Sequence, residues 1–317
     1  VPRHSDRAFT TEGIVGELHE SEVSRHRAIR VGAAALAVAV AVGVALALSE
    51  SGPARITSSP GQLVYMNCPS VGLGGTLPAA VYLPPGYRDG HTRYPVVYFL
   101  HGLPAGPTSY QGYGFVSAAV EQTGHRAIVV APQGARNAGD DREYLNWGRG
   151  EDWPLAIARD LPRCIDARLR TIASRGGRAL IGLSAGGFGA FNIGLRHLAT
   201  FAAIESWSGY FAATDPEGLH LLDLGSKRAN RKARVPRDQD LDERLAIHPA
   251  FIGFYVGRQD GRFYKANVDL DAAFTAGDVS HLFHVYPGGH STSLWLAQAP
   301  YWVGLALAHL RAPTGGA

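Results

Sequence analysis

Cysteine is nearly absent: the 317 residues hold two, Cys68 and Cys164. Cys164 lies in the helical pattern DLPRCIDARL with no companion histidine, which argues against a catalytic thiol. The pair leaves two readings open, one disulfide in an exported chain or two unrelated buried thiols. Charge is sparse as well, at 18 % of residues with a formal net charge of +3. Much of the basic excess falls in SKRANRKARVPR (226–237). That distribution gives no nucleic-acid footprint, and the stretch reads as a solvated loop rather than a polyanion site. There is no internal repeat. The glycine cluster PSVGLGG (69–75) lacks the spacing of a dinucleotide fingerprint and precedes a strand pattern, so it reads as a turn. Among thirteen histidines, His281 and His284 form an H-x-x-H pair. It lies on a strand pattern without the helix and glutamate of a zinc site. Neither a metal nor an organic cofactor is expected.

What is present begins with an unbroken apolar run, Val31 to Leu48, preceded by Arg25, Arg27 and Arg30. At about 1.5 Å per residue the run reaches ~27 Å, enough to cross a bilayer core. The upstream arginines place residues 1–30 in the cytoplasm and the rest of the chain outside it. A single-pass anchor is the preferred reading. A cleaved signal is the alternative, since Ala45-Leu46-Ala47 fits a small-x-small cleavage site. Residues 49–61 read as a Ser/Pro/Gly linker, and 62–312 as the folded domain.

Within that domain, QLVYMNC and LPAAVYLP read as two strands joined by the PSVGLGG turn. YPVVYFL, AIVVAP, RALIGL, AAIESWS, FIGFYVG and LFHVYP follow as short β-branched and aromatic runs. Several are apolar throughout, as strands covered on both faces are. Helical patterns alternate with them. One runs over 154–173 with Leu155, Ile157, Leu161, Ile165 and Leu169 along one side and Pro162 as a kink. The expectation is an α/β fold, a mostly parallel sheet of about eight strands with helices on both faces. Ligands of such sheets bind beyond the carboxyl ends of the strands.

At one such end stands Gly182-Leu183-Ser184-Ala185-Gly186, a G-x-S-x-G pattern. A serine pushed out on a tight strand-to-helix turn needs small neighbours, and the helix it opens points amides at developing negative charge. A serine hydroxyl is a weak nucleophile that needs a base, itself oriented by an acid. Asp260 in RQDGRF and His290 in GGHS both follow strands, in the order this architecture requires. Asp269, Asp271 and Asp278 are reserve acids on or beyond the next helix. The amide of Ala185 and that of Gly102 or Leu103, in YFLHGLPAG, would hold an oxyanion. Trp147, Trp295 and the segment 212–248, a possible lid, read either as a substrate wall or as packing under a loop.

HGLPAG, YLNW, DLPRCID, GLSAGGFGAFN, GRQD and YPGGHS together resemble the esterase branch of the α/β hydrolases. That branch holds esterase D, feruloyl-esterase-like proteins and the antigen 85 mycolyltransferases, and the likeness spans about Gln62 to Trp302. It implies the α/β-hydrolase fold, a Ser184–His290–Asp260 triad, and Leu103 rather than Gly102 as the second oxyanion donor. Two departures set the chain apart from the mycolyltransferases. Pro104 stands where they carry an arginine, and HSTSLW replaces their His-Ser-Trp. With the export read from the apolar run, the expectation is an exported serine esterase or acyltransferase acting on a small-molecule or lipid ester. Mycolyltransferase-like transfer to a sugar, or a non-catalytic membrane-tethered binding module, are the alternatives.

Overall fold

The computed structural model describes residues 59–140, 142–214, 220–237 and 239–315. Residues 1–30, read above as cytoplasmic, the apolar run 31–48 and most of the stretch 49–61 lie outside them. Among the described residues no helix is long and apolar enough to cross a membrane.

Eight strands form one sheet: β1 Gln62–Ser70, β2 Gly75–Leu83, β3 Val96–Leu100, β4 Ile128–Pro132, β5 Arg178–Leu183, β6 Ala203–Trp207, β7 Phe251–Gly257 and β8 Leu282–Tyr286. Their order is β1-β2-β4-β3-β5-β6-β7-β8. β1 and β2 form an antiparallel hairpin whose second strand pairs antiparallel with β4. Every pairing from β4 to β8 is parallel. The continuous apolar runs have the reason expected of them. β3, β4 and β6 are buried at every position, and alternate residues feed opposite cores because side chains alternate across a strand. Val96, Tyr98 and Leu100 enter one core, Val97 and Phe99 the other.

Helices cover both faces. Helix α1 is Gly114–Gln122. A short α2, Trp153–Leu155, passes through a wide π-helical turn, Ala156–Asp160, into α3, Leu161–Arg168. Then come α4 Ala185–Gly194, α5 Lys227–Lys232, α6 Gln239–Ile247, α7 Tyr264–Ala276 and α8 Thr292–Ala308. Leu161 of α3, Phe188 of α4 and Phe274 of α7 pack in the first core. Val116 of α1 and Trp302 of α8 pack in the second. In the helical pattern read over 154–173, only the part up to Arg168 is helical. Beyond it Tyr94 donates to Arg170 O and accepts from Ile172 N, at 3.0 and 2.8 Å, so strand-like pairing replaces the last helical turn.

The π-helical turn anchors the hairpin. Asp160, at its end, accepts from Ser70 Oγ at 3.0 Å and from Gly72 N at 2.9 Å. Burial alone would raise the pKa of this carboxyl, but the Gly72 amide, Arg159 and Ser70 together bring it below the ordinary range. Next to this contact Cys68 of β1 and Cys164 of α3 form a disulfide across 96 residues, the first of the two readings left open. Closing so long a loop removes much entropy from the unfolded chain. Cys68→Ala/Cys164→Ala is therefore expected to lower stability by about 2–5 kcal/mol, read as a lower urea midpoint.

On β6, Glu205 has no exposed surface. One carboxyl oxygen accepts from Trp207 Nε1 at 2.9 Å. Burial holds its pKa well above the ordinary 4.5, with the Trp207 indole and the Ala306 backbone pulling the other way. The folded state thus keeps a proton that the unfolded chain releases. Stability falls as pH rises above the unfolded value, and continues to fall until the folded value is passed. Glu205→Gln keeps the shape without the titration. It is expected to flatten the dependence of Tm on pH and to give a higher Tm than the wild type at about pH 8.

Candidate active site

The parallel strands direct four loops to one edge of the sheet, those after β3, β5, β7 and β8. Ser184 follows β5 at once, with φ 54° and ψ −122°, a strained conformation for a residue with a side chain. The glycines around it are demanded by space. A Cβ at Gly182 would lie 2.1 Å from Gly186 O, and one at Gly186 would lie 2.0 Å from Leu100 O. Strand, turn and helix converge too closely for any other residue at either position.

His290 bridges the other two side chains. Its Nδ1 lies 2.8 Å from Asp260 Oδ2 and its Nε2 lies 3.0 Å from Ser184 Oγ. A carboxylate can only accept, so Nδ1 carries the proton, and in the neutral ring Nε2 is free to accept from the serine hydroxyl. Asp260 is 2 % exposed. Its second oxygen accepts from the amides of Arg262 and Phe263, at 3.2 and 3.1 Å, which fixes the carboxylate within its own turn. The reserve acids stand elsewhere. Asp269 pairs with Lys265 and Asp271 with His281, and Asp278 lies past the end of α7.

Two rings press on the imidazole edge-on, Phe263 at 5.2 Å and Trp295 at 5.0 Å between centroids. Trp295 is itself held by a bond from its Nε1 to Ser208 Oγ, 3.1 Å long. Ser208 sits at the end of β6 with φ 47°. Trp147 takes a different place. Its Nε1 donates to Arg142 O at 2.8 Å within its own loop, and its ring lies against the first core. The described part of 212–248 packs along the far half of α4, where Asn192 Nδ2 donates to Lys232 O at 3.1 Å and Arg244 Nη1 to Leu195 O at 2.8 Å.

The loop after β3 abuts the elbow. A Cβ at Gly102 would lie 2.9 Å from Ser184 Cβ, and half-buried Leu103 follows. His101 sets the orientation of the peptide between them, since its Nδ1 donates to Gly102 O at 3.0 Å. In a trans peptide the Leu103 amide must then point the opposite way. Burial lowers the pKa of His101, with the Gly102 carbonyl opposing, so the ring stays neutral with its proton on Nδ1. Tyr144 braces the same loop through a 2.9 Å bond from its hydroxyl to His101 O. The Ala185 amide opens α4, beside the serine. Sequence reasoning placed His101 in the oxyanion loop without a role for its ring, and did not single out Tyr144, Ser208 or Phe263. The motif YLNW contained Tyr144, and Phe263 lies three residues from the acid.

A hydroxyl bonded to an oriented imidazole, beside a loop amide and a helix N-terminus, is an arrangement able to carry out acyl transfer. Comparison with known proteins agrees with that chemistry. Esterase Rv1288 of Mycobacterium tuberculosis (strain H37Rv) is 29 % identical over 169 residues, 52 % of this chain and 36 % of that protein. The chain thus spans about a third of that relative's length. A solved ferulic acid esterase superposes with a TM-score of 0.66 at 23 % identity, over 80 % of this chain and 99 % of that one. MPT51 (FbpC1) of Mycobacterium tuberculosis does so with 0.60 at 19 %, over 79 % and 99 %. Both likenesses establish a shared α/β fold. The model of the Esterase family, described as "Putative esterase", matches residues 70–300, from the end of β1 into α8. With all four loops of the site inside that span, the chain belongs to the Esterase family.

Proposed function

We propose that the protein is a serine esterase that cleaves carboxylic esters through a covalent acyl-enzyme. The observation that carries this reading is the unbroken relay from Ser184 Oγ through His290 to Asp260. His290 Nε2 takes the serine proton as Oγ attacks the ester carbonyl. The amides of Leu103 and Ala185 hold the resulting oxyanion. His290 returns the proton to the departing alcohol, leaving the acyl group on Ser184. It then takes a proton from water, which attacks the acyl-enzyme, and passes that proton to Ser184 Oγ as the acid departs. Asp260 keeps the imidazole in one tautomer and balances its charge. Trp295 forms the substrate wall nearest the imidazole. Water is favoured over a sugar as acceptor, because Pro104 and HSTSLW depart from the mycolyltransferase pattern.

The domain works outside the cytoplasm, tethered or released at the apolar run 31–48. The Cys68–Cys164 disulfide supports this, since such bonds persist in oxidising compartments.

Ser184→Ala and His290→Ala are each expected to lower kcat for a nitrophenyl ester by about 10⁶, and Asp260→Asn by about 10⁴. A fluorophosphonate probe should label the wild type at Ser184 and leave Ser184→Ala untouched. Wild-type-like turnover in either alanine variant would exclude the mechanism. Failure of the wild type to label would favour a binding module on the same fold.

A further inference from the structure

A cavity of about 440 Å³ opens beside the far half of α4. Asn192, on its wall, is about 10 Å of helix axis from Ala185. None of Ser184, His290 or Asp260 lines it. Leu145, Pro154, Leu155, Leu224 and Ala233 are its apolar lining, beside the polar Asn146, Asp152, Asn192 and His197. Arg228 and Lys232 also line it and are exposed, which puts them at its mouth. Both also line an adjoining groove of about 670 Å³ that carries Arg231, Arg234 and Arg237.

These five cations are exposed, and none is in ion-pair contact with a carboxylate among the described residues. Asp269 offsets part of the charge of Arg237; the remaining like charges repel one another, and an anion relieves that repulsion. The one carboxylate on the cavity wall, Asp152, is engaged elsewhere. It accepts from Leu155 N at 3.0 Å and from Asn146 Nδ2 at 2.6 Å. His197 adds no charge at the mouth, because burial, helped by Arg196, lowers its pKa against the pull of Asp152. Arg196 acts as a brace. It donates from Nε to Asn192 Oδ1 at 3.3 Å and from Nη2 to Arg234 O at 2.8 Å, tying the basic segment to α4.

An apolar hollow under a ring of cations matches a ligand that is apolar at one end and anionic at the other. We propose that this cavity is a second ligand site for a single-chain alkyl phosphate, with the chain against Leu155 and Leu224 and the phosphate on Arg228 and Lys232. Phosphate suits the mouth better than carboxylate, because it brings three terminal oxygens and up to two negative charges to the two cations, against two oxygens and one charge. The stretch 226–237, read from sequence as a solvated loop, then forms the rim of a site. This assignment does not depend on the catalytic reading, since the two sites share no side chain.

The test is calorimetric titration of the full chain with dodecyl phosphate below its micellar concentration. The apolar run 31–48 is common to all variants, so differences between them report on the cavity. One equivalent should bind the wild type. Arg228→Glu/Lys232→Glu should weaken binding at least about tenfold, and Ala229→Trp, which fills the cavity without altering charge, should do the same. Both variants should keep the wild-type Tm and nitrophenyl acetate turnover. Dodecanoate and inorganic phosphate should each bind more weakly than dodecyl phosphate. Prior labelling of Ser184 should leave binding unchanged. The proposal is overturned by no binding to the wild type, by equal affinity in either variant, by tighter binding of dodecanoate or inorganic phosphate, or by loss of binding on labelling.

Discussion

The site depends on one close approach of main chain to main chain. Leu100 O occupies the place that a Cβ at residue 186 would need, and Gly186 O the place that one at residue 182 would need. This contact forces the backbone at Ser184 out of the ordinary regions and lifts its hydroxyl clear of the strand. It also brings the loop after β3 against the elbow, so the Ser184 hydroxyl and the loop amide come together through one packing event. The strain at Ser184 is offset by its surroundings. Its amide donates to Trp207 O at 2.9 Å and its carbonyl accepts from Phe188 N at 3.0 Å.

The three relay residues were legible in the sequence because each sits where an apolar run ends in a glycine-bearing loop. In a parallel sheet such ends share one edge. His290 could be chosen among thirteen histidines by that position alone. The central strands were equally legible, since burial on both faces leaves few polar residues to blur the run. Glu205 and Ser206 of β6 are buried exceptions, and Glu205 is accommodated by bonding to Trp207.

What escaped the sequence depends on contacts between distant segments. The Cys68–Cys164 pairing needs β1 beside α3, which spacing alone does not give. The end of the helical pattern over 154–173 yields to pairing with Tyr94, a residue far back in the chain. His101 looks like an ordinary strand-ending residue until its ring is seen to turn the next peptide. Trp147 and Trp295 were read alike, yet one is tied to its own loop and the other to Ser208 beside the imidazole. Indole rings carry the same apolar signal wherever they lie, and only the fold separates them.

The turn holding Asp260 has a bearing on how variation here would be inherited. One carboxylate oxygen steadies the imidazole while the other gathers the amides of residues 262 and 263. The phenyl ring at 263 thereby reaches the same imidazole from the side. Acid and ring form a single module, and neither can drift independently. A glutamate at 260, one methylene longer, would have to rebuild the whole hexapeptide to serve.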